Sequence, residues 1–204
     1  MLTLCIDTAY KYLTCALIQD DTIIASDSFL CFKKQSEELL GTIKRMFKQT
    51  NINPRQIDSI CISEGPGSYT GVRIAMTLAK TIGQTLPCDV YTISTLRLYA
   101  AGKPKVMVIM NARASRAYIG VYDKNEIVLN DYIANVNEIN PMDYTIIGDA
   151  SLINREDNYP NIVEAFLATK PVWNKVNNIA YLVPKYLKES EDYLKWLNLC
   201  RLMI

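Results

Sequence analysis

The feature that most constrains the fold is the run Gly65-Pro66-Gly67-Ser68-Tyr69-Thr70-Gly71. Residues 57–63 before it are mostly apolar, which predicts a buried strand. Residues 72–86 after it lack proline and predict about four helical turns. A glycine loop between a strand and a helix can hold a phosphate at the helix N-terminus. The run matches neither of the common phosphate-loop spacings, however, so a tight strand-to-helix connection is the alternative.

The predicted helix at 72–86 carries two apolar stripes. Residues four positions apart share one side of a helix, which gives a stripe of small residues and a neighbouring stripe of larger ones. The small stripe is Gly71, Ala75, Ala79 and Gly83, and the larger one is Ile74, Leu78 and Ile82. A surface helix usually has one apolar face. The helix is therefore either buried within its own lobe or packed on its sheet by one face and on a partner by the other.

Composition narrows the class of protein. Hydrophobic residues make up 50% of the chain. The net charge is +1, so the chain lacks the excess of basic residues that a protein needs to bind nucleic acid by itself. The absence of histidine excludes Ser-His-Asp and Cys-His catalysis and every zinc site that needs imidazole. The six cysteines form no C-x-x-C pair, and we find neither a signal peptide nor a membrane span. We therefore expect a reduced, cytoplasmic protein without a metal site.

The predicted elements follow the same order twice. Residues 1–29 predict three strands, Ser36 predicts the N-cap of a first helix, and residues 89–93 predict a further strand. After a break at Gly102-Lys103-Pro104, residues 106–128 align with 2–24 without a gap and place Asn111 on Asp7. Internal duplication and a chance likeness of two hairpins both remain open.

This order is that of a ribonuclease-H-like lobe occurring twice. We predict an α/β fold of two such lobes around a cleft, of the actin-like ATPase (ASKHA) class, with the second lobe reduced. The lobes would span 1–103 and 104–204. The second would contain helices at Asn161–Lys170 and Asn177–Lys188, and it would end in an amphipathic tail helix from Glu191 to Ile204.

The chain resembles the TsaB (YeaZ) family. The most specific match is the segment from Glu64 to Ile74, which that family shares with its catalytic relative TsaD. Weaker matches occur in order along residues 1–188. They are Ile6-Asp7-Thr8-Ala9, Ser36-Glu37-Glu38-Leu39-Leu40, Ala79-Lys80, Ile93-Ser94-Thr95-Leu96, Asn111-Ala112-Arg113, Ala117-Tyr118, Gly148-Asp149-Ala150 and Pro184-Lys185-Tyr186-Leu187-Lys188.

The resemblance implies a function in a complex. It implies a non-catalytic subunit, without its own active site, of the machinery that places threonylcarbamoyl on the adenosine beside the tRNA anticodon. TsaD would be its partner, the ATPase TsaE would join the larger complex, and the chain alone would be a homodimer that uses the same helices. It would meet tRNA only through the complex and would not contact a membrane. No cofactor is expected on the chain alone, and ATP or ADP at the complex interface is left open.

The stripes and the resemblance together give candidate site residues. The predicted partner interface comprises Leu39, Ile43, Phe47, Gly71, Ile74, Ala75, Leu78, Ala79 and Ile82. Vestigial nucleotide contacts would be Asp7, Thr8, Gly65, Gly67 and Ser68. The runner-up hypothesis is an actin-like-fold ATPase or phosphotransferase with Asp7 on magnesium and the Gly65–Gly71 loop on phosphate.

Three departures from related proteins favour the scaffold over the enzyme. Gln35 stands where many TsaB proteins have a histidine, and Ala9 stands where nucleotide-binding relatives have glycine. Asn111 stands where the second lobe would supply its carboxylate. The second lobe therefore lacks a carboxylate that could bind magnesium or act as a base that orients water. A metallopeptidase activity, sometimes attributed to this superfamily, lacks histidine ligands.

Overall fold

A computed structural model of the chain describes residues 1–31 and 33–187. The strands are β1 Leu2–Asp7, β2 Tyr12–Gln19, β3 Thr22–Leu30, β4 Ser59–Ser63, β5 Asp89–Ile93, β6 Val106–Arg113, β7 Arg116–Asp123, β8 Glu126–Asn135, β9 Thr145–Gly148 and β10 Asn174–Lys175. The helices are α1 Gln35–Thr50, α2 Tyr69–Thr85, α3 Thr95–Ala100 and α4 Ile162–Thr169. The predicted tail helix lies outside the described residues.

The first sheet has the strand order β10-β5-β4-β1-β2-β3. Strand β1 pairs antiparallel with β2 and parallel with β4, which in turn pairs parallel with β5. Every residue of β1 and β4 is buried, as expected for parallel strands that are covered on both faces. The continuous apolar runs predicted these strands correctly.

The second sheet repeats this arrangement. Its order is β8-β7-β6-β9, with β6 antiparallel to β7 and parallel to β9. The two hairpin turns are also alike, because the Asp7 side chain accepts the N–H of Ala9 at 2.9 Å and the Asn111 side chain accepts that of Arg113 at 2.7 Å. The molecule is therefore an α/β protein with an actin-like two-lobe fold, and its second sheet has fewer strands than the first.

The core extends between the two sheets. One cluster of buried residues combines Cys5 and Ile18 of the first sheet with Val108 of the second and Phe166 of α4. After α4 the chain returns to the first sheet as β10, which pairs with β5. The division of the chain at residue 103 stays a prediction. No helix in the described ranges is long and apolar enough to span a bilayer.

Two local predictions were wrong. Helix α1 begins at Gln35, so Ser36 lies in its first turn and is not the cap. The Gln35 amide donates to the carbonyl of Tyr10 at 3.1 Å, and this contact fixes the first turn against the β1–β2 hairpin. The helix predicted at Asn177–Lys188 is a single 3₁₀ turn at Ile179–Tyr181 followed by irregular chain as far as Leu187. Pro184 cannot donate within a helix and does not extend this turn.

Candidate functional site

Helix α2 packs on its own sheet through the stripe of small residues. Gly71, Ala75 and Ala79 are buried, and the two alanines have no exposed surface. A partner cannot touch these three residues while the fold is intact, which corrects their place in the predicted interface. Phe47 of α1 is buried as well, at 5% exposure, and the same correction applies to it. Leu39 is 3% exposed, so only a small part of its side chain reaches the surface.

The stripe of larger residues on α2 faces outward. Ile74, Leu78 and Ile82 are half-buried, and so is Ile43 of α1. The helix therefore packs on its sheet by one face and leaves a second apolar face available, which is one of the two arrangements that the periodicity allowed. The use of that second face by a partner stays a prediction.

An open groove runs between α1 and α2. It has a volume of about 530 Å³ and is lined by Ser36, Leu39, Leu40, Tyr69, Thr70, Arg73, Ile74, Thr77, Leu78 and Thr81. Leu40 is 63% exposed and Tyr69 is 46% exposed. Sequence reasoning chose Leu39 for the interface and missed Leu40, which is the more exposed of the two. We call this surface the α1–α2 groove.

The glycine loop packs against the β1–β2 hairpin. A Cβ on Gly67 would lie 2.3 Å from the carbonyl oxygen of Ala9, and one on Gly71 would lie 2.1 Å from that of Thr8. The Ser68 N–H donates to the Ala9 carbonyl at 2.7 Å, and the Thr8 hydroxyl donates to the Gly71 carbonyl at 2.7 Å. These glycines therefore permit close backbone approach, and the loop engages its own hairpin where a phosphate had been considered.

Gly65 has a different role in the loop. Its φ is +103°, a conformation that side chains disfavour, and a Cβ there would lie 2.7 Å from the carbonyl oxygen of Lys185. The Lys185 N–H in turn donates to the Glu64 carbonyl at 2.8 Å. The C-terminal segment thus crosses directly over the start of the loop.

Asp7 is a buried turn-forming residue. Its oxygens accept the Ser63 hydroxyl at 2.5 Å, the Ala9 N–H at 2.9 Å and the Tyr99 hydroxyl at 3.2 Å. Burial raises the pKa of the Asp7 carboxyl, although all three hydrogen bonds act in the opposite direction. A group that is fully enclosed and bonded to three donors has no position from which to reach a magnesium ion.

The cleft between the lobes holds a polar cluster, which we call the interlobe cluster. Asp149, buried at the end of β9, accepts the Lys11 ammonium at 2.6 Å and the Asn111 N–H at 2.7 Å. The hydroxyls of Tyr10 and Tyr159 also donate to it. Burial alone would raise the pKa of Asp149, but these hydrogen bonds together hold it below its usual range. Sequence reasoning listed Asp149 as a family match only and did not place the other members beside it.

The described residues show no metal-ligand set. Within residues 1–31 and 33–187, no three histidine, cysteine, aspartate or glutamate side chains gather as they would around an ion. The turn of the second lobe carries Asn111, as the sequence analysis noted, and the side chain of Asn111 caps its own hairpin. Neither hairpin presents a free carboxylate to the cleft.

Comparisons with known proteins point to one family. Residues 30–145 match the model of the family described as TsaD, tRNA N6-adenosine threonylcarbamoyltransferase. The chain is 27% identical to the tRNA threonylcarbamoyladenosine biosynthesis protein TsaB of Bacillus subtilis, over 97% of this chain and 99% of that protein. It is also 27% identical to the Escherichia coli protein of the same name, over 62% of this chain and 57% of that protein.

A solved structure shows the same fold. The YeaZ protein from Pseudomonas aeruginosa superposes with a TM-score of 0.77, covering 91% of this chain and 99% of that chain at 19% sequence identity. At this identity the likeness concerns the fold alone. It agrees with the two-lobe arrangement derived above from strand order and hairpin geometry.

Proposed function

Because this chain belongs to the TsaB (YeaZ) family, within the wider family that the threonylcarbamoyltransferase model describes, we propose that it is a non-catalytic subunit that binds and supports TsaD. The chain takes part in tRNA threonylcarbamoyladenosine biosynthesis. Our proposal adds that the transfer itself occurs on the partner and that this chain supplies a binding surface.

The observation that carries the proposal is the α1–α2 groove. Leu40 is 63% exposed within an apolar concavity, and such surfaces typically mark sites of protein association. A helix of the partner that lies along α2 would cover Leu40, Ile74 and Leu78 together. A second copy of this chain would use the same groove when TsaD is absent, and TsaE would join the larger complex.

The interior of the molecule supports a non-catalytic role. Asp7 is enclosed and bonded to three donors, and Lys11 of the same hairpin is paired with Asp149 across the cleft. A nucleotide bound in the cleft would have to displace these contacts. We therefore propose that the chain alone binds no cofactor and that it meets tRNA only through its partner.

The test compares two apolar sites of similar exposure. We expect Leu40→Glu to weaken binding to the TsaD of the same organism by about thirtyfold, since a central interface residue is worth roughly 2 kcal/mol. Val128→Glu on the exposed edge strand β8 is the matched control, because Val128 is 54% exposed and lies in the second sheet. Affinities are measured by titration calorimetry, and circular dichroism verifies that both variants are folded.

The transfer assay completes the test. Reconstituted threonylcarbamoylation of tRNA should fall with Leu40→Glu in proportion to the lost binding and should recover at high concentration of the variant. Equal affinities for Leu40→Glu and the unsubstituted chain would place the partner surface elsewhere.

A further inference from the structure

The β1–β2 hairpin touches both of the helices that form the α1–α2 groove. The side-chain amide of Gln35, the first residue of α1, donates to the carbonyl of Tyr10 at 3.1 Å. The N–H of Ser68, the N-cap of α2, donates to the carbonyl of Ala9 at 2.7 Å. One hairpin therefore holds the N-terminal ends of both helices.

The residues that the hairpin holds are next to residues that line the groove. Ser36 follows Gln35 on α1, and Tyr69 follows Ser68 on α2. Ser36 and Tyr69 both line the groove. Because each wall is hydrogen-bonded to the hairpin, the position of the hairpin sets the spacing of the two walls at this end of the groove.

The tip of the same hairpin is bonded to the second lobe. The hydroxyl of Tyr10 and the ammonium of Lys11 both donate to Asp149, which is 3% exposed. The ammonium also donates to the hydroxyl of Tyr159 at 2.6 Å. Tyr10 thus contacts the second lobe through its side chain and α1 through its carbonyl. Hydrogen bonds therefore connect the interlobe cluster to both walls of the groove, and such networks can couple distant sites.

We propose that the interlobe cluster acts through the β1–β2 hairpin to hold the α1–α2 groove in the shape that a partner binds, with Lys11 and Asp149 as positioning residues. A surface that is already ordered loses less entropy when its partner binds. The effect on the shape of the groove is independent of the proposed function. The effect on affinity rests on that function, because it requires TsaD to bind in the groove.

The test makes the same substitution in two lysines that join the lobes. Lys11→Met removes the ammonium that donates to Asp149. Lys170→Met is the matched control, because the Lys170 ammonium donates to Asp21 at 2.8 Å in the turn between β2 and β3. The two lysine side chains have similar exposures of 35% and 24%. Lys11→Arg keeps the positive charge and should behave as the unsubstituted chain does.

Hydrogen exchange of the chain alone, measured by NMR, tests the shape of the groove. The reporter is the Ser68 amide, whose bond to the hairpin must open before it exchanges. We expect Lys11→Met to speed this exchange by at least about fivefold, the lower end of typical coupling between sites. Lys170→Met and Lys11→Arg should leave it unchanged. The Leu86 amide, which donates to the Ile82 carbonyl at the other end of α2, should exchange at the same rate in every variant.

Three outcomes overturn the proposal. They are an unchanged Ser68 rate in Lys11→Met, an equal increase in Lys170→Met, and an equal increase at the Leu86 amide, which would indicate general destabilisation. If Lys11→Met does not fold, Tyr10→Phe makes the same test with a smaller change. It removes one hydroxyl from Asp149 and keeps the carbonyl that contacts α1.

The consequence for binding has its own measurement. By titration calorimetry, Lys11→Met should bind TsaD about fivefold more weakly than the unsubstituted chain, while Lys11→Arg and Lys170→Met should match it. Unchanged affinity of Lys11→Met, where Leu40→Glu does weaken binding, overturns the effect on the partner. Faster exchange at Ser68 in Lys11→Met, together with full affinity of Leu40→Glu, supports the effect on shape and refutes the proposed function, so the two failures are distinguishable.

Discussion

Replacing Asp7 by alanine or by asparagine separates a structural carboxylate from a catalytic one. In the folded chain Asp7 accepts hydrogen bonds from Ser63, Ala9 and Tyr99. Alanine would leave all three donors without this acceptor, and each orphaned buried donor costs at least about 1 kcal/mol. We therefore expect Asp7→Ala to lower the free energy of unfolding by about 3 kcal/mol, a large share of the ~5–15 kcal/mol typical of a folded protein.

Asparagine should be far milder. Its carbonyl oxygen replaces the carboxylate oxygen that serves Ser63 and Ala9, and its amide meets the Tyr99 hydroxyl, which can rotate to accept. The expected cost is about 1 kcal/mol. For a chain of this size we expect the melting temperature to fall by about 6–12 °C for Asp7→Ala and about 2–4 °C for Asp7→Asn. Scanning calorimetry measures both.

The pH dependence of the free energy of unfolding gives an independent check on the direction in which burial shifts the pKa of Asp7. Burial raises the pKa of Asp7 above its ordinary value of 3.8, so the folded state binds the proton more tightly than the unfolded state. Asp7 therefore contributes its full stabilisation below pH 3.8, and this contribution declines as the pH rises through the pKa of Asp7 in the folded state. Asp7→Asn should remove this decline in urea unfolding experiments. If Asp7→Asn were as damaging as Asp7→Ala, or if it abolished a measurable ATP hydrolysis, the structural reasoning would be refuted.

Three further predictions follow from the same contacts. Gly71→Ala should destabilise the chain by about 1–3 kcal/mol through overpacking. Gly41→Ala in α1 should stabilise it by about 0.5–1 kcal/mol, because the added Cβ would lie 3.7 Å from its nearest atom. Chemical denaturation of both variants measures the two changes in the free energy of unfolding. Ala75→Glu should prevent soluble folding because it buries an unpaired charge, while Leu40→Glu should leave the melting temperature within a few degrees of the original. The hydrogen bonds to Asp149 outweigh its burial and lower its pKa, so Asp149 contributes its full stabilisation above pH 3.8 and loses it as the pH falls further. Asp149→Asn should remove this contribution. Urea unfolding at a series of acidic pH values measures the change.

The parts of the fold that the sequence predicts well are those that local pattern determines. Continuous apolar runs predict β1 and β4 because both faces of these strands are covered. Serine is a favoured N-cap residue, and the Ser94 hydroxyl at the start of α3 accepts the N–H of Arg97 at 3.4 Å. A glycine inside a helix, such as Gly83, indicates that another group approaches closely, and the groups closest to Gly83 are the side chains of Val90 and Ile179. The pattern thus detected a close approach and could not identify the group that approaches.

The site could be predicted only in part, because it depends on pairs that are distant in sequence. The two stripes on α2 predicted an additional apolar face, but they did not show which stripe packs on the sheet. That choice depends on the backbone carbonyls of Thr8 and Ala9, because these leave no room for a side chain at Gly71 and Gly67. The interlobe cluster joins Lys11 to Asp149 across more than half of the chain. No local periodicity carries that information, and only the relative position of the two lobes produces it.

The interlobe cluster also joins the two lobes through one buried carboxylate. Here the first hairpin contributes Lys11 and Tyr10, the second contributes the N–H of Asn111, and all three donate to Asp149. The Lys11 ammonium and the Asp149 carboxylate therefore link the lobes through opposite charges of the chain's own residues. Because the carboxylate is buried, water and salt screen this pair less than they screen an exposed pair.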